Sequence, residues 1–127
     1  MKQLKILWVE DDLNFGDSIH LRIKREITKL GFEFSSVEKL TNGNHVSDTV
    51  RDWQPDIIMM DHNLDDVLIN GANLIIQIRF QNHDTLIVYY SSEMDQRLIE
   101  LVQNENKVFA SSRDNVADEL LKLLQNL

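Results

Sequence analysis

The chain contains no cysteine, which excludes disulfides and thiolate metal sites and fits a reducing compartment. Proline and glycine are scarce, one and four among 127 residues. No stretch rich in Pro, Gly or Ser marks a linker, and no internal repeat or low-complexity tract appears. One domain spanning 1–127 is expected, long enough to bury a core. No apolar run approaches the length of a transmembrane helix, and Met1-Lys2-Gln3-Leu4-Lys5 lacks the apolar core of a signal peptide. The expectation is a soluble cytoplasmic protein with no membrane partner. Basic residues are outnumbered, 13 Lys and Arg against 21 Asp and Glu, for a formal net charge of -8. That balance argues against non-specific binding to nucleic acid or anionic lipid. His20, His45 and His83 lack the spacing of metal ligands and are expected at the surface.

What is present is an alternation of apolar runs and helix-period segments. Lys5-Ile6-Leu7-Trp8-Val9, Asp56-Ile57-Ile58-Met59-Met60 and Leu86-Ile87-Val88-Tyr89-Tyr90 are continuous runs, the pattern of strands buried on both faces. Phe32-Glu33-Phe34 alternates, as a half-exposed edge strand should, and Lys107-Val108-Phe109-Ala110 is a short fifth strand. Between them, Phe15, Ile19, Ile23 and Ile27 mark a long first helix that Gly31 stops. Thr41-Asn42-Gly43-Asn44 turns into a polar second helix ending near Trp53. Leu74, Ile75 and Ile78 mark a third helix, Met94, Leu98, Leu101 and Val102 a fourth, and Val116, Leu120, Leu123, Leu124 and Leu127 a fifth. Ser92 and Asp95 read as a cap for the fourth helix. Five βα units predict an α/β doubly wound, five-stranded parallel sheet, flavodoxin-like, (βα)5; by analogy its strand order is 2-1-3-4-5.

Chemistry sits at the ends of two of these strands. The first runs into Glu10-Asp11-Asp12 and the third into Asp61. In open parallel sheets ligands bind beyond the carboxyl ends of the strands, where strand order reverses. If those strands are neighbours, several carboxylates converge on one crevice and raise each other's pKa. A hard divalent cation relieves the repulsion, and oxygen ligands suit Mg²⁺. Asp12 reads as a turn residue or helix cap, and Asp65 and Asp66 as a solvated loop.

With these residues in place, the whole chain resembles the receiver domain of two-component response regulators. The resemblance rests on Trp8-Val9-Glu10-Asp11-Asp12, Pro55-Asp56-Ile57-Ile58-Met59-Met60-Asp61, Ser91 at the end of the fourth strand, and Gly71 opening the third helix. It implies that Asp61 is the phosphoacceptor nucleophile. It further implies Mg²⁺ held by Glu10, Asp11, Asp61 and the backbone carbonyl of Asn63, and a Ser91 hydroxyl that turns to a phosphoryl oxygen. The implied donor is a histidine kinase or phosphotransfer protein. With no output module expected beyond the fifth helix, signalling would pass to a protein docking on the fourth helix, fifth strand and fifth helix.

The sequence departs from the family where a lysine followed by proline normally ends the fifth strand. By register that position falls on Ser111, or on Ser112 if the strand slips by one. Serine donates a hydrogen bond but carries no charge; either residue could instead cap the last helix. Arg113 could swing in, since guanidinium suits phosphate, but the preferred expectation leaves it solvated before the last helix. The loop from Asp61 to Gly71 lacks the family's usual proline and looks longer. Phe109, the expected switch aromatic, has no hydroxyl.

Two further functions compete with a working phosphoacceptor. A pseudo-receiver, acting as an interaction module without phosphate, is motivated by the missing lysine and opposed by Glu10, Asp11, Asp61 and Ser91. A Mg²⁺-dependent phosphohydrolase would need a general acid near Asp61, and the neutral Asn63 stands where such enzymes place an aspartate. The absence of a Gly-rich loop after the first strand argues against a flavin or dinucleotide carrier. The expectation is therefore self-phosphorylation chemistry and not enzymatic turnover.

Overall fold

Continuous apolar strands must be covered on both sides, and the computed structural model shows how these are. It describes residues 2–10, 13–40, 45–64, 70–81 and 84–126. The chain runs β1 (Lys2–Val9), α1 (Leu13–Lys29), β2 (Phe32–Leu40), α2 (Val46–Trp53), β3 (Ile57–Asp61), α3 (Gly71–Gln81), β4 (Leu86–Ser91), α4 (Gln96–Val102), β5 (Val108–Ser112), a short 3₁₀ turn (Arg113–Asn115) and α5 (Val116–Gln125). All strands are parallel, in one sheet of order β2-β1-β3-β4-β5. The doubly wound, flavodoxin-like α/β fold and its strand order are as expected.

Side chains alternate across the sheet and divide the core in two. Ile6, Trp8, Ile57, Met59, Val88 and Tyr90 face α1 and α5, packing on Ile23, Ile27, Leu120 and Leu124. Leu7, Val9, Ile58, Met60, Ile87 and Tyr89 face α2, α3 and α4, packing on Val50, Ile75, Ile78 and Leu98. Each fully buried aliphatic side chain contributes about 1.5–3 kcal/mol relative to exposure, so both faces need their helices. Gly31, at φ +89°, takes the left-handed turn that ends α1.

Three boundaries differ from the sequence expectation. β2 continues to Leu40, pairing with β1 throughout except for a register shift between Leu4 and Lys5; hydrogen bonding to β1 carries the strand on through Ser35 and Ser36. The cap of α4 is Asp95, whose carboxylate accepts from the Leu98 amide at 3.1 Å; Ser92 and Met94 precede the helix. β5 extends through Ser112, because Ser111 pairs with Tyr90 and Ser112 with Ser91. Thr41–Asn44, His83 and Leu127 lie outside the described residues, as do Asp11, Asp12, Asp65 and Asp66. His45 is exposed and His20 is partly buried.

The foot of the sheet is tied by a buried arginine. Arg79 of α3 donates to the carbonyls of Asn106 (2.8 Å), Thr85 (2.5 Å) and Lys107 (3.4 Å), the segments that lead into β4 and β5. Burial lowers its pKa, while Glu105 and Asp84 act in the opposite direction.

Candidate functional site

The switch point of the strand order lies between β1 and β3, and their ends place Glu10 beside Asp61. Val9 pairs with Met60, so the residues that follow are neighbours. Both carboxylates are buried, Asp61 fully and Glu10 almost so. Asp61 Oδ1 accepts from the Asn63 amide at 3.3 Å, and its Oδ2 accepts from Arg113 Nη2 at 2.8 Å. The same Arg113 nitrogen lies 3.3 Å from Glu10 Oε1.

Arg113 thus corrects the expectation that it is solvated. Because β5 continues to Ser112 before turning into the 3₁₀ segment, residue 113 is carried back over the strand ends and its side chain bridges both carboxylates. Burial works against its charge, but Asp61 and then Glu10 outweigh that and hold its pKa above the ordinary arginine value. Ser111 and Ser112 do not share this contact. The Ser111 hydroxyl donates to the Ser112 carbonyl at 2.9 Å, and Ser112 precedes the 3₁₀ turn without a side-chain cap bond.

Ser91 is buried at the end of β4. Its Oγ accepts from Asn63 Nδ2 at 3.2 Å and from the Glu93 amide at 3.3 Å. Asn63 therefore connects Asp61, through its backbone N–H, with Ser91, through its side chain. Gly71 closes the loop after β3, its amide donating to the His62 carbonyl at 3.0 Å. A Cβ there would stand 2.2 Å from the Asp61 carbonyl oxygen, so only glycine permits this approach.

Two tyrosines of β4 flank the acceptor from opposite faces. Tyr90 donates its hydroxyl to Glu10 Oε2 at 2.5 Å and accepts from Trp8 Nε1 at 2.8 Å. Tyr89 shares a 2.5 Å hydrogen bond with His62 Nδ1, with their rings edge to face. Burial, then the charge of Arg97, lowers the His62 pKa, while burial, then Asp61, raises that of Tyr89. Sequence reasoning treated Trp8 and Tyr90 as core; the available signal was two phenols inside a strand buried on both faces, where each hydroxyl needs a partner.

The Asp61 carboxyl is pushed up to about 8, first by burial and next by Glu10, with Arg113 and the Asn63 amide pulling it down less strongly. One guanidinium therefore leaves the pocket short of positive charge. Glu10, Asp61 and the carbonyl of Asn63 are hard oxygen donors, and such a set fits a divalent cation such as Mg²⁺. Among the described residues no three acidic or histidine side chains form a complete metal cluster.

No protein-family model and no curated protein matches the chain. Solved structures do. The signal receiver domain of NarL from Mycobacterium tuberculosis superposes with a TM-score of 0.74 at 14% identity, over 100% of both chains. Chemotaxis protein CheY4 of Vibrio cholerae gives 0.72 at 21%, over 98% of each chain. The receiver domain of the Pseudomonas aeruginosa sensor histidine kinase PA1611, with magnesium coordinated in its active-site cleft, gives 0.72 at 21%, over 98% of this chain and 96% of that one. The chain has the receiver-domain fold, in agreement with the resemblance drawn from its motifs.

Proposed function

We propose that the chain is a response-regulator receiver that accepts a phosphoryl group on Asp61 in a phosphorelay. The observation that carries this reading is the Arg113–Asp61 contact of 2.8 Å, which supplies the cation that Ser111 and Ser112 cannot. An oxygen of Asp61 attacks phosphorus, the new O–P bond forms, and the bond to the donor breaks with its electron pair leaving on the donor atom. The donor is a phosphohistidine of a kinase or phosphotransfer protein, or a small acyl phosphate. Glu10, Asp11, Asp61 and the Asn63 carbonyl would hold Mg²⁺, which supplies charge to offset that on the transferring oxygens.

Arg113 then faces both the carboxylate and the arriving group, and guanidinium is suited to phosphoryl oxygens. Ser91 exchanges its present partners for a phosphoryl oxygen and draws the end of β4 with it. The chemistry is modification of the chain itself and not turnover of a diffusible substrate. Output passes to a protein on the α4–β5–α5 surface, where Leu101 and Phe109 are partly exposed. No helix among the described residues is long and apolar enough to cross a membrane, which is consistent with a cytoplasmic setting. The pseudo-receiver alternative rested on a missing cation, and Arg113 removes that motive.

The test is intact mass after incubation with acetyl phosphate and Mg²⁺. A single phosphoryl adduct, absent in Asp61→Asn, supports the reading; no adduct under conditions that modify another receiver overturns it.

A further inference from the structure

We propose that Tyr90 is a positioning residue for the acidic pocket, its hydroxyl holding Glu10 so that one carboxylate oxygen is kept for the incoming cation. This deepens the receiver reading and rests on it. The residue before Ser91 is fully buried, with its ring among the α1 and α5 side chains and its hydroxyl at the strand ends. Two bonds define that hydroxyl. Trp8 Nε1, which only donates, gives its proton to the Tyr90 oxygen at 2.8 Å. The phenol's own proton is then directed to Glu10 Oε2 at 2.5 Å.

That ordering has a chemical result for Glu10. Its Oε2 is bound from the β4 side, while Oε1 faces Arg113 at 3.3 Å. Oε2 is thus held from β4, and Oε1 is directed into the pocket, where Glu10 also hydrogen-bonds Asp61. A charge-assisted O–H···O⁻ bond also offsets part of the cost of burying a carboxylate beside Asp61. Remove the hydroxyl, and Glu10 Oε2 loses a buried donor. The carboxylate then lacks the contact that fixes its rotation, and Oε1 no longer has a set direction into the pocket.

The experiment measures Mg²⁺ affinity directly, by calorimetric titration of the unphosphorylated chain, beside the rate of phosphoryl incorporation from acetyl phosphate, by intact mass, across the same Mg²⁺ concentrations; the two half-saturation values should shift together. Tyr90→Phe should raise the Mg²⁺ needed for half-maximal rate by about 10-fold, the scale of partners that orient metal ligands, with little change in the rate at saturating Mg²⁺. Trp8→Phe, which leaves the ring and hydroxyl of Tyr90 in place, should shift it in the same direction by less. In a Glu10→Gln background, Tyr90→Phe should add little, because it acts through Glu10. A half-saturating Mg²⁺ concentration within twofold of wild type in both variants overturns the positioning role while leaving the receiver reading intact. So does a shift that persists undiminished beside Glu10→Gln. A wild-type chain that takes no phosphoryl group at any Mg²⁺ concentration overturns the receiver reading and the positioning role together. Should Tyr90→Phe not fold, Trp8→Phe and its cycle with Glu10→Gln decide the question.

Discussion

Arg113 Nη2 lies 2.8 Å from Asp61 Oδ2 and 3.3 Å from Glu10 Oε1, so one guanidinium bridges two carboxylates carried by neighbouring strands. Its backbone lies beyond the strand that the sheet register assigns to the family's lysine. The positive charge of this pocket enters from the turn after β5.

Replacing Arg113 tests whether that charge is used. Arg113→Ala should slow phosphoryl incorporation by about 100-fold, the scale of removing one preorganised group that stabilises transferring charge. Arg113→Lys should recover part of the loss. A time course of intact mass distinguishes them, and equal rates for wild type and Arg113→Ala would exclude the role.

Asp61 makes stability depend on pH in a definite direction. Its carboxyl is pushed from an ordinary 3.8 up to about 8, so the folded chain binds a proton that the unfolded chain has released. Stability is fully present below the lower value and is lost as pH rises through the upper one. Without Mg²⁺ the melting temperature should fall between pH 4 and pH 8, and Mg²⁺ should restore it at pH 8. Asp61→Asn should flatten the profile and stabilise the chain at pH 8 by about 1–2 kcal/mol, several degrees in melting temperature. Thermal melts across pH provide the check.

Much of this was legible before the structure. The uninterrupted apolar runs of β1, β3 and β4 announce strands covered on both faces, and the acidic residues at two of their ends locate the pocket. Arg113 escaped because register counts positions along a strand, whereas a long side chain leaving a 3₁₀ turn reaches back across them. Tyr90 escaped because its place in an apolar run reads as core, and only tertiary contact reveals that its oxygen reaches Glu10. Polarity hid the length of β2, since an edge strand need not be apolar.

Ser91 should separate chemistry from response. Its hydroxyl now accepts from Asn63 and from the Glu93 amide, and losing these bonds should cost about 1 kcal/mol. Ser91→Ala should still form the Asp61 adduct. Amide chemical shifts in α4 and β5 should move less on phosphorylation than in wild type. Wild-type-sized shifts in the variant would remove Ser91 from the coupling.

Gly71 permits no side chain. A Cβ there would stand 2.2 Å from the Asp61 carbonyl oxygen, a backbone atom that cannot swing aside. Gly71→Ala should destabilise the chain by about 2–3 kcal/mol, measurable by urea unfolding, and should slow phosphorylation because the acceptor's own peptide must shift.

Two arginines give opposite expectations. Arg22 pairs with Asp118 between α1 and α5, but both side chains are substantially exposed, so Arg22→Ala should cost under about 1 kcal/mol. Arg79→Ala would remove a buried charged donor from the Thr85, Asn106 and Lys107 carbonyls and should cost about 3 kcal/mol. Denaturant melts of the two variants side by side test the contrast.

Arg79 also ties two strands together at one end of the sheet. Its guanidinium grips the carbonyls of Thr85, Asn106 and Lys107, at the feet of the two strands whose opposite tips carry Ser91 and the turn to Arg113. Those strands are clasped at the base like the leaves of a fan. On the proposed reading, a pull at Ser91 would therefore be expressed as a swing about this pinned end, largest at the rim of the sheet, rather than as sliding along the strand.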